Sequence, residues 1–183
     1  MSKSNRTPGR RLLRTATAAA LFLAAVAGSA PARAAGACAL VPDERAASEK
    51  TLQCGEALTV RPAQGTRYRP LYKKGEPLPV GIRLDDGALL IDYRSASPQE
   101  KFQILTPLAI AAVRGTKWAI EVAKARTSTL VLSGAVMVTN RRLNEYVVLT
   151  EGEGVDVTPA DTSMVQKRWG EARIRALLAR FGE

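Results

Sequence analysis

The chain has 183 residues, with 27 basic against 17 acidic side chains and a net charge of +10, and it contains no histidine. The missing histidine removes imidazole metal ligands, Ser-His-Asp and Cys-His nucleophile arrangements, and histidine general acid–base work. The basic excess would suit a polyanionic partner such as nucleic acid, but its placement along the chain argues otherwise.

The first element is a targeting segment. Residues 1–14 carry Lys3, Arg6, Arg10, Arg11 and Arg14 and no acid, Ala16 to Ala30 is an apolar run, and Ala32-Arg33-Ala34 supplies a small-residue cleavage site. That order is a secretory signal peptide over residues 1–34, with cleavage expected between Ala34 and Ala35 and a periplasmic mature protein. The Ala-rich run is shorter than the ~20 residues of a spanning helix, so no stable membrane insertion is expected after cleavage. Arg10-Arg11 fits twin-arginine export, although an ordinary basic n-region explains the same residues. Residues 1–34 hold six of the 27 basic residues and none of the 17 acidic ones, leaving 21 against 17 and a net charge of +4. Nucleic-acid binding loses its support with them. The remaining residues, 35–183, make one domain long enough for a real core.

Cys38 and Cys54 both follow the cleavage site. An even cysteine count in an exported chain reads as a disulfide. Closing a loop of this length contributes roughly 3 kcal/mol. The alternative, lipidation of Cys38, lacks the Leu-like residue expected three positions upstream in "AGAC". Residues 35–56 are polar and of mixed charge and are expected to form a disulfide-tethered N-terminal loop with room for one helical turn.

Residues 57–158 alternate short apolar runs with turn signals. Asp86-Gly87 in "LDDG" is a preferred pair for two-residue hairpin turns. Leu89, Ile91 and Tyr93 alternate with Leu90, Asp92 and Arg94, and "KFQIL" follows. Trp118, Ile120 and Val122 alternate with Lys117, Ala119 and Glu121. Ser133-Gly134 and the Gly152/Gly154 pair separate further runs. Period two, β-branched residues and regular turns predict a mainly β fold of compact, rolled or sandwiched antiparallel short strands. No long helical pattern intervenes, so a parallel βαβ sheet is not expected. The period changes over residues 164–182, where Ile174, Leu177, Leu178 and Phe181 form a helical stripe with Arg173, Arg175 and Arg180 off it. Gly182 supplies a stop. This predicts one C-terminal amphipathic helix, docked on the domain rather than on a membrane.

Few residues invite catalysis. Asp85, Asp86, Glu151, Glu153 and Asp156 lie in Gly-rich stretches but do not match a calcium loop, and turn chemistry accounts for them. Nothing sets two of them across a cleft for glycoside cleavage. Trp118, Trp169 and the tyrosines occupy positions typical of core. The glycines do not form a phosphate cradle. No catalytic residue, metal or cofactor is therefore expected.

The stretch "TPLAIAAVRGTKW" carries the sharpest signal. Thr106, Pro107, Ala109, Ala111, Val113, Arg114, Gly115 and Thr116, with Ser133-Gly134-Ala135-Val136 and the Gly-Glu-Gly turn downstream, resemble a FecR domain over roughly residues 87–157. Family members are sensor-regulators that sit between an outer-membrane transporter's signalling domain and a sigma factor. Residues 1–14 are too few for a sigma-binding unit, so what the resemblance implies is the module itself. That module is an exported, non-catalytic domain for protein–protein interaction in envelope signalling or scaffolding. Its partner would be an envelope protein, with identity and oligomeric state left open. A periplasmic module for a small ligand or cell-wall glycan is the alternative, to be recognised by an aromatic-lined pocket at Trp118 or the tyrosines. A carboxylate hydrolase is a third reading. Arg114-Gly115-Thr116 is expected to be a turn with Gly115 at positive φ, joining two neighbouring strands and leaving Arg114 at an exposed tip.

Overall fold

The computed structural model describes residues 38–43, 50–94 and 101–183. The signal segment and its cleavage point, Ala34 and Ala35, lie outside these residues. Among the described residues, thirteen strands form one sheet that curls back on itself as a half-barrel, and a short helix follows it. The expected mainly β fold with one C-terminal helix is what the chain adopts.

In chain order the strands are β1 Cys38–Pro42, β2 Lys50–Cys54, β3 Leu58–Pro62, β4 Arg67–Tyr72, β5 Pro79–Tyr93, β6 Phe102–Leu105 and β7 Ala109–Val113. They continue with β8 Thr116–Ala123, β9 Arg126–Ser133, β10 Ala135–Asn140, β11 Tyr146–Thr150, β12 Glu153–Val157 and β13 Lys167–Arg168, before α1 Glu171–Leu178 and a 3₁₀ turn Ala179–Phe181.

One strand organises the rest. β5 runs 15 residues. Its first half pairs with β4 and, in parallel, with β6, while its second half pairs with β3 and β8. The half-sheet β4-β5-β6-β7-β10-β11 thus faces the half-sheet β1-β2-β3-β5-β8-β9-β12-β13. The hairpin expected at Asp86-Gly87 is not formed. Gly87, at φ +92°, is instead the bend where β5 passes from one half-sheet to the other. A Cβ there would lie 2.7 Å from the Thr66 Cα, so the close approach as well as the backbone angle requires glycine.

Two further expectations are corrected. Residues 35–56 are not a loop where they are described: β1 and β2 form an antiparallel ladder with Cys38 directly opposite Cys54, and the disulfide joins them. Leu52 and Cys54 are buried against β3 and the core, which gives the segment a packing reason to be extended. The C-terminal helix begins at Glu171 rather than 164, because Lys167–Arg168 adds to the edge of β12 first.

Inward residues fill the space between the half-sheets: Val60, Ile82, Leu84, Leu89, Ile91, Phe102, Ile104, Trp118, Ile120, Val131, Val136, Val138 and Leu149 are essentially inaccessible. Tyr93 and Phe102 stack with ring centres 5.1 Å apart. The outer face of β5, β8 and β9 carries a second cluster, in which Ala88, Leu90, Ala119 and Leu130 meet Trp169, Leu177 and Phe181. An eight-residue helix is marginal alone, and docking on this face holds it. Charged groups rim that contact: Arg173 reaches Asp156 at 2.6 Å and stacks on the Trp169 ring, and Arg180 pairs with Glu121. Arg61 donates to Asp43 at 3.0 Å, to Glu183 at 2.6 Å and to the Phe181 carbonyl at 2.8 Å, tying the N-terminal hairpin to the end of the chain.

Candidate functional site

The motif residues divide between the two ends of the sandwich. At one end, Thr106, Pro107 and Leu108 turn β6 into β7, with Pro107 in the position that its fixed φ favours. The Thr106 hydroxyl, 3% exposed, accepts the Ala109 amide at 2.9 Å and lies 2.9 Å from the Thr127 hydroxyl on the facing half-sheet. Thr106 therefore closes a turn and bridges the two half-sheets at once.

At the other end, Val113 finishes β7 buried, and Gly115 adopts φ +61° as expected. The strands on either side are not neighbours, however. β7 pairs with β6 and β10, and β8 pairs with β5 and β9. Arg114-Gly115 thus carries the chain from one half-sheet to the other. Gly134 between β9 and β10 makes the same kind of crossing, as does Glu151-Gly152 between β11 and β12. Period two cannot distinguish a hairpin turn from such a crossing, because both reverse the chain and keep the inward phase.

These crossings pack together. The Thr116 hydroxyl donates to the Ala135 carbonyl at 2.9 Å, and a Cβ on Gly134 would come within 2.8 Å of the Gly115 carbonyl oxygen. Gly152 donates to the Val131 carbonyl at 2.9 Å. Beside them opens a shallow concavity of about 450 Å³ lined by Asp92, Tyr93, Arg94, Thr116, Lys117 and Ser133. Arg114 is exposed at its edge and has no ion-pair partner among the described residues. Asp92 lies 3.8 Å from Arg94, and Lys117 lies 3.7 Å from Glu183.

The carboxylates weighed as candidates for chemistry are occupied locally. Asp85 pairs with Arg83 at 2.9 Å and Asp86 lies 3.9 Å from Arg67. Glu153 accepts the Thr150 amide and hydroxyl at 2.8 Å each, which hold its pKa below the ordinary value, with Arg168 adding to the effect. Burial alone would raise the Asp156 pKa, but hydrogen bonds from Arg173 and Ser128 and the charges of Arg173 and Arg126 outweigh it and lower it. Among the described residues no three cysteine or acidic side chains gather in a way that would hold a metal ion.

Trp118 is fully buried between the half-sheets, and Trp169 lies beneath Arg173, so neither forms a sugar platform. Sequence reasoning missed Asn140. It continues the inward phase of Val136 and Val138, and an amide in that phase is the signal that marks it.

A curled, strand-sharing β half-barrel capped by a helix, with glycine turns crossing between its halves, defines the structural class. The FecR protein model matches residues 45–137, and the chain belongs to that family. Two crystal structures of a proposed anti-sigma factor from Parabacteroides distasonis share the fold. Their TM-scores are 0.55 and 0.54 at 15% identity, over 78% of this chain and 61% of theirs. The chain therefore spans somewhat under two thirds of the length of these structures. A search of curated proteins finds no match.

Proposed function

We propose that this protein is an exported, non-catalytic FecR-domain regulator that works in envelope signalling by binding another protein from the periplasmic side. Membership of the FecR family carries the reading. The fold shared with a proposed anti-sigma factor supports the same class of role. Within the molecule, the exposed Arg114, unpaired among the described residues and on a turn stiffened by Thr116 and Gly134, offers a preformed contact beside an open concavity. A backbone already held in one geometry lowers the ordering cost of binding. Among the described residues no helix is long and apolar enough to cross a membrane.

The test is site-specific photocrosslinking in intact cells, with the probe at Arg114, at Ser133 or at Lys74 in the turn at the far end of β5. One discrete envelope partner should be captured from Arg114 and Ser133 and not from Lys74, and Arg114→Ala should reduce the Ser133 yield. Equal yields from all three positions, or none from the first two, would overturn the assignment. N-terminal sequencing of the periplasmic fraction should find Ala35; an intact Met1 or a lipid on Cys38 would remove the exported, soluble form.

A further inference from the structure

The two outer faces of the curled sheet differ. On that of β5, β8 and β9, Leu177 and Phe181 of the C-terminal helical segment cover Ala88, Ala119 and Leu130, while Arg173 and Arg180 reach the sheet carboxylates Asp156 and Glu121. The outer face of β6, β7, β10 and β11 is open among the described residues. Val113, Val136, Val138 and Leu149 are buried inward, so strand alternation turns their neighbours outward. Val148 stands opposite Met137 and Met137 opposite Ala112; one step along, Tyr146, Thr139 and Ile110 make a second row. Tyr146 is 65%, Val148 47% and Met137 38% exposed, so the apolar side chains form a contiguous patch rather than scattered single residues. Four strands span roughly 14 Å, wide enough for one helix of about 10 Å.

The patch has a basic border. Lys101 and Arg114 stand next to the opposed pair Phe102 and Val113 at one margin, and Arg69 stands opposite Arg83 at another. Lys101, Arg114 and Arg69 have no carboxylate partner among the described residues. The nearby acids are engaged: Asp85 with Arg83 at 2.9 Å, and Glu145 on the Met164 amide at 3.2 Å. Glu151 and Glu153 lie past the end of β11, beside the Arg168 guanidinium. A second copy fits this border poorly. Face to face it would oppose the same cations, and its helix would bring Arg173, Arg175 and Arg180. Like charges across an interface are costly.

We propose that this face docks an acidic amphipathic helix of another protein. The helix lays its apolar stripe on the rows of Met137 and Ile110, where the small Ala112 leaves room for a large side chain. Its carboxylates face Lys101, Arg114 and Arg69. The arrangement repeats the α1 contact with the signs exchanged, since there the helix carries the cations and the sheet the carboxylates. The inference rests on the reading of this chain as a module that binds another protein, and it names the face and the kind of partner.

Methyl-labelled methionine in the purified protein supplies the readout. Met137 lies in the patch and is assigned by Met137→Leu, while Met164 packs against the core and reports any global change. The probes are three synthetic helical peptides: a leucine stripe flanked by glutamates, the same stripe flanked by lysines, and the glutamate peptide with its stripe scrambled. The first should shift the Met137 methyl saturably and leave Met164 in place, and the other two should shift neither. Val148→Asp, at an exposed position, should abolish the shift. Lys101→Glu and Arg114→Glu each exchange an attraction for a repulsion and should weaken binding roughly five- to tenfold. Equal binding of the glutamate and lysine peptides, or full binding by both charge-reversal variants, would overturn the proposal. So would a Met137 shift driven by protein concentration alone, which makes a second copy the occupant. A shift with phosphatidylglycerol vesicles and none with the glutamate peptide would make the face a lipid contact instead. An unmoved Met137 methyl, with a partner still captured from Arg114 in cells, would strike this face and spare the interaction reading.

Discussion

Three glycine and non-glycine turns show what single residues contribute. Gly115 sits at φ +61° with nothing within 4 Å of a would-be Cβ, so its requirement is backbone angle alone. Gly115→Val should lower stability by at least about 1–2 kcal/mol, and Gly115→Asn, a residue that tolerates this region, by less. Gly134, at φ +88°, adds backbone contact with Gly115 and Thr116, so Gly134→Ala should melt below Gly115→Ala. The reverse order would mean that the crossings are not packed as described. Arg114→Ala should leave the melting temperature almost unchanged, since no partner among the described residues is lost. Lys124 and Ala125, at φ +49° and +55°, form the tight β8–β9 turn without the residues that such a turn prefers. Replacing them with Asn-Gly should raise stability by about 0.5–1 kcal/mol. A melting temperature equal to or below wild type would show that these angles carry no strain.

At the scale of elements, the helix is held by apolar docking and a rim of ion pairs that includes Asp156 with Arg173. Its folded pKa lies below the unfolded value, so its contribution is present above about pH 4 and is lost as pH falls through the folded pKa. Wild-type melting temperature should therefore fall more steeply below about pH 4 than that of Asp156→Asn. Parallel curves would remove Asp156 from the helix contact. The elements themselves were legible where one signal dominated. Trp118, Ile120 and Val122 announced a strand with one buried face, and Leu177 and Phe181 announced a docking face. Pairing was not legible. Asp86-Gly87 reads as a hairpin locally, yet the apolar residues on both sides, Ile82 and Leu84 before and Leu89 and Ile91 after, are all buried and keep one strand running through the bend. Lys124-Ala125 gave no turn signal because strand pairing, not local preference, imposes the turn. Cys38–Pro42 reads as loop because its strand faces are hardly buried, and its ladder with β2 is flanked by the disulfide at one end and by the Thr51–Asp43 hydrogen bond at the other. Of the candidate site, the motif turn was visible in the residues, whereas Asn140 needed the phase of β10 to be traced one step further.

For the whole molecule, a strand shared by both halves makes the halves interdependent. Neither half-sheet keeps its central partner if β5 is lost, so unfolding should be a single cooperative event. Trp118 reports the space between the halves and Trp169 reports the helix contact. In the wild-type protein, tryptophan fluorescence and far-ultraviolet circular dichroism should therefore give the same denaturant midpoint at neutral pH. Separate midpoints would show two independently stable parts. Reduction of Cys38–Cys54 should lower stability by roughly 3 kcal/mol; no change on reduction would mean that β1 adds nothing to the domain. Finally, the grip of Arg61 on both Asp43, just past β1, and the Glu183–Phe181 end ties the close of the first strand to the last residues of the chain. One strand length therefore separates the beginning of the folded part from its end, and a tether of that reach would turn the domain into a ring. A circular permutant that joins Glu183 to Cys38 through a flexible linker long enough to run the length of β1, and opens at the exposed Lys73-Lys74 turn, should fold with the same core and melt near wild type. The same cut placed inside β5 should yield no folded protein at all.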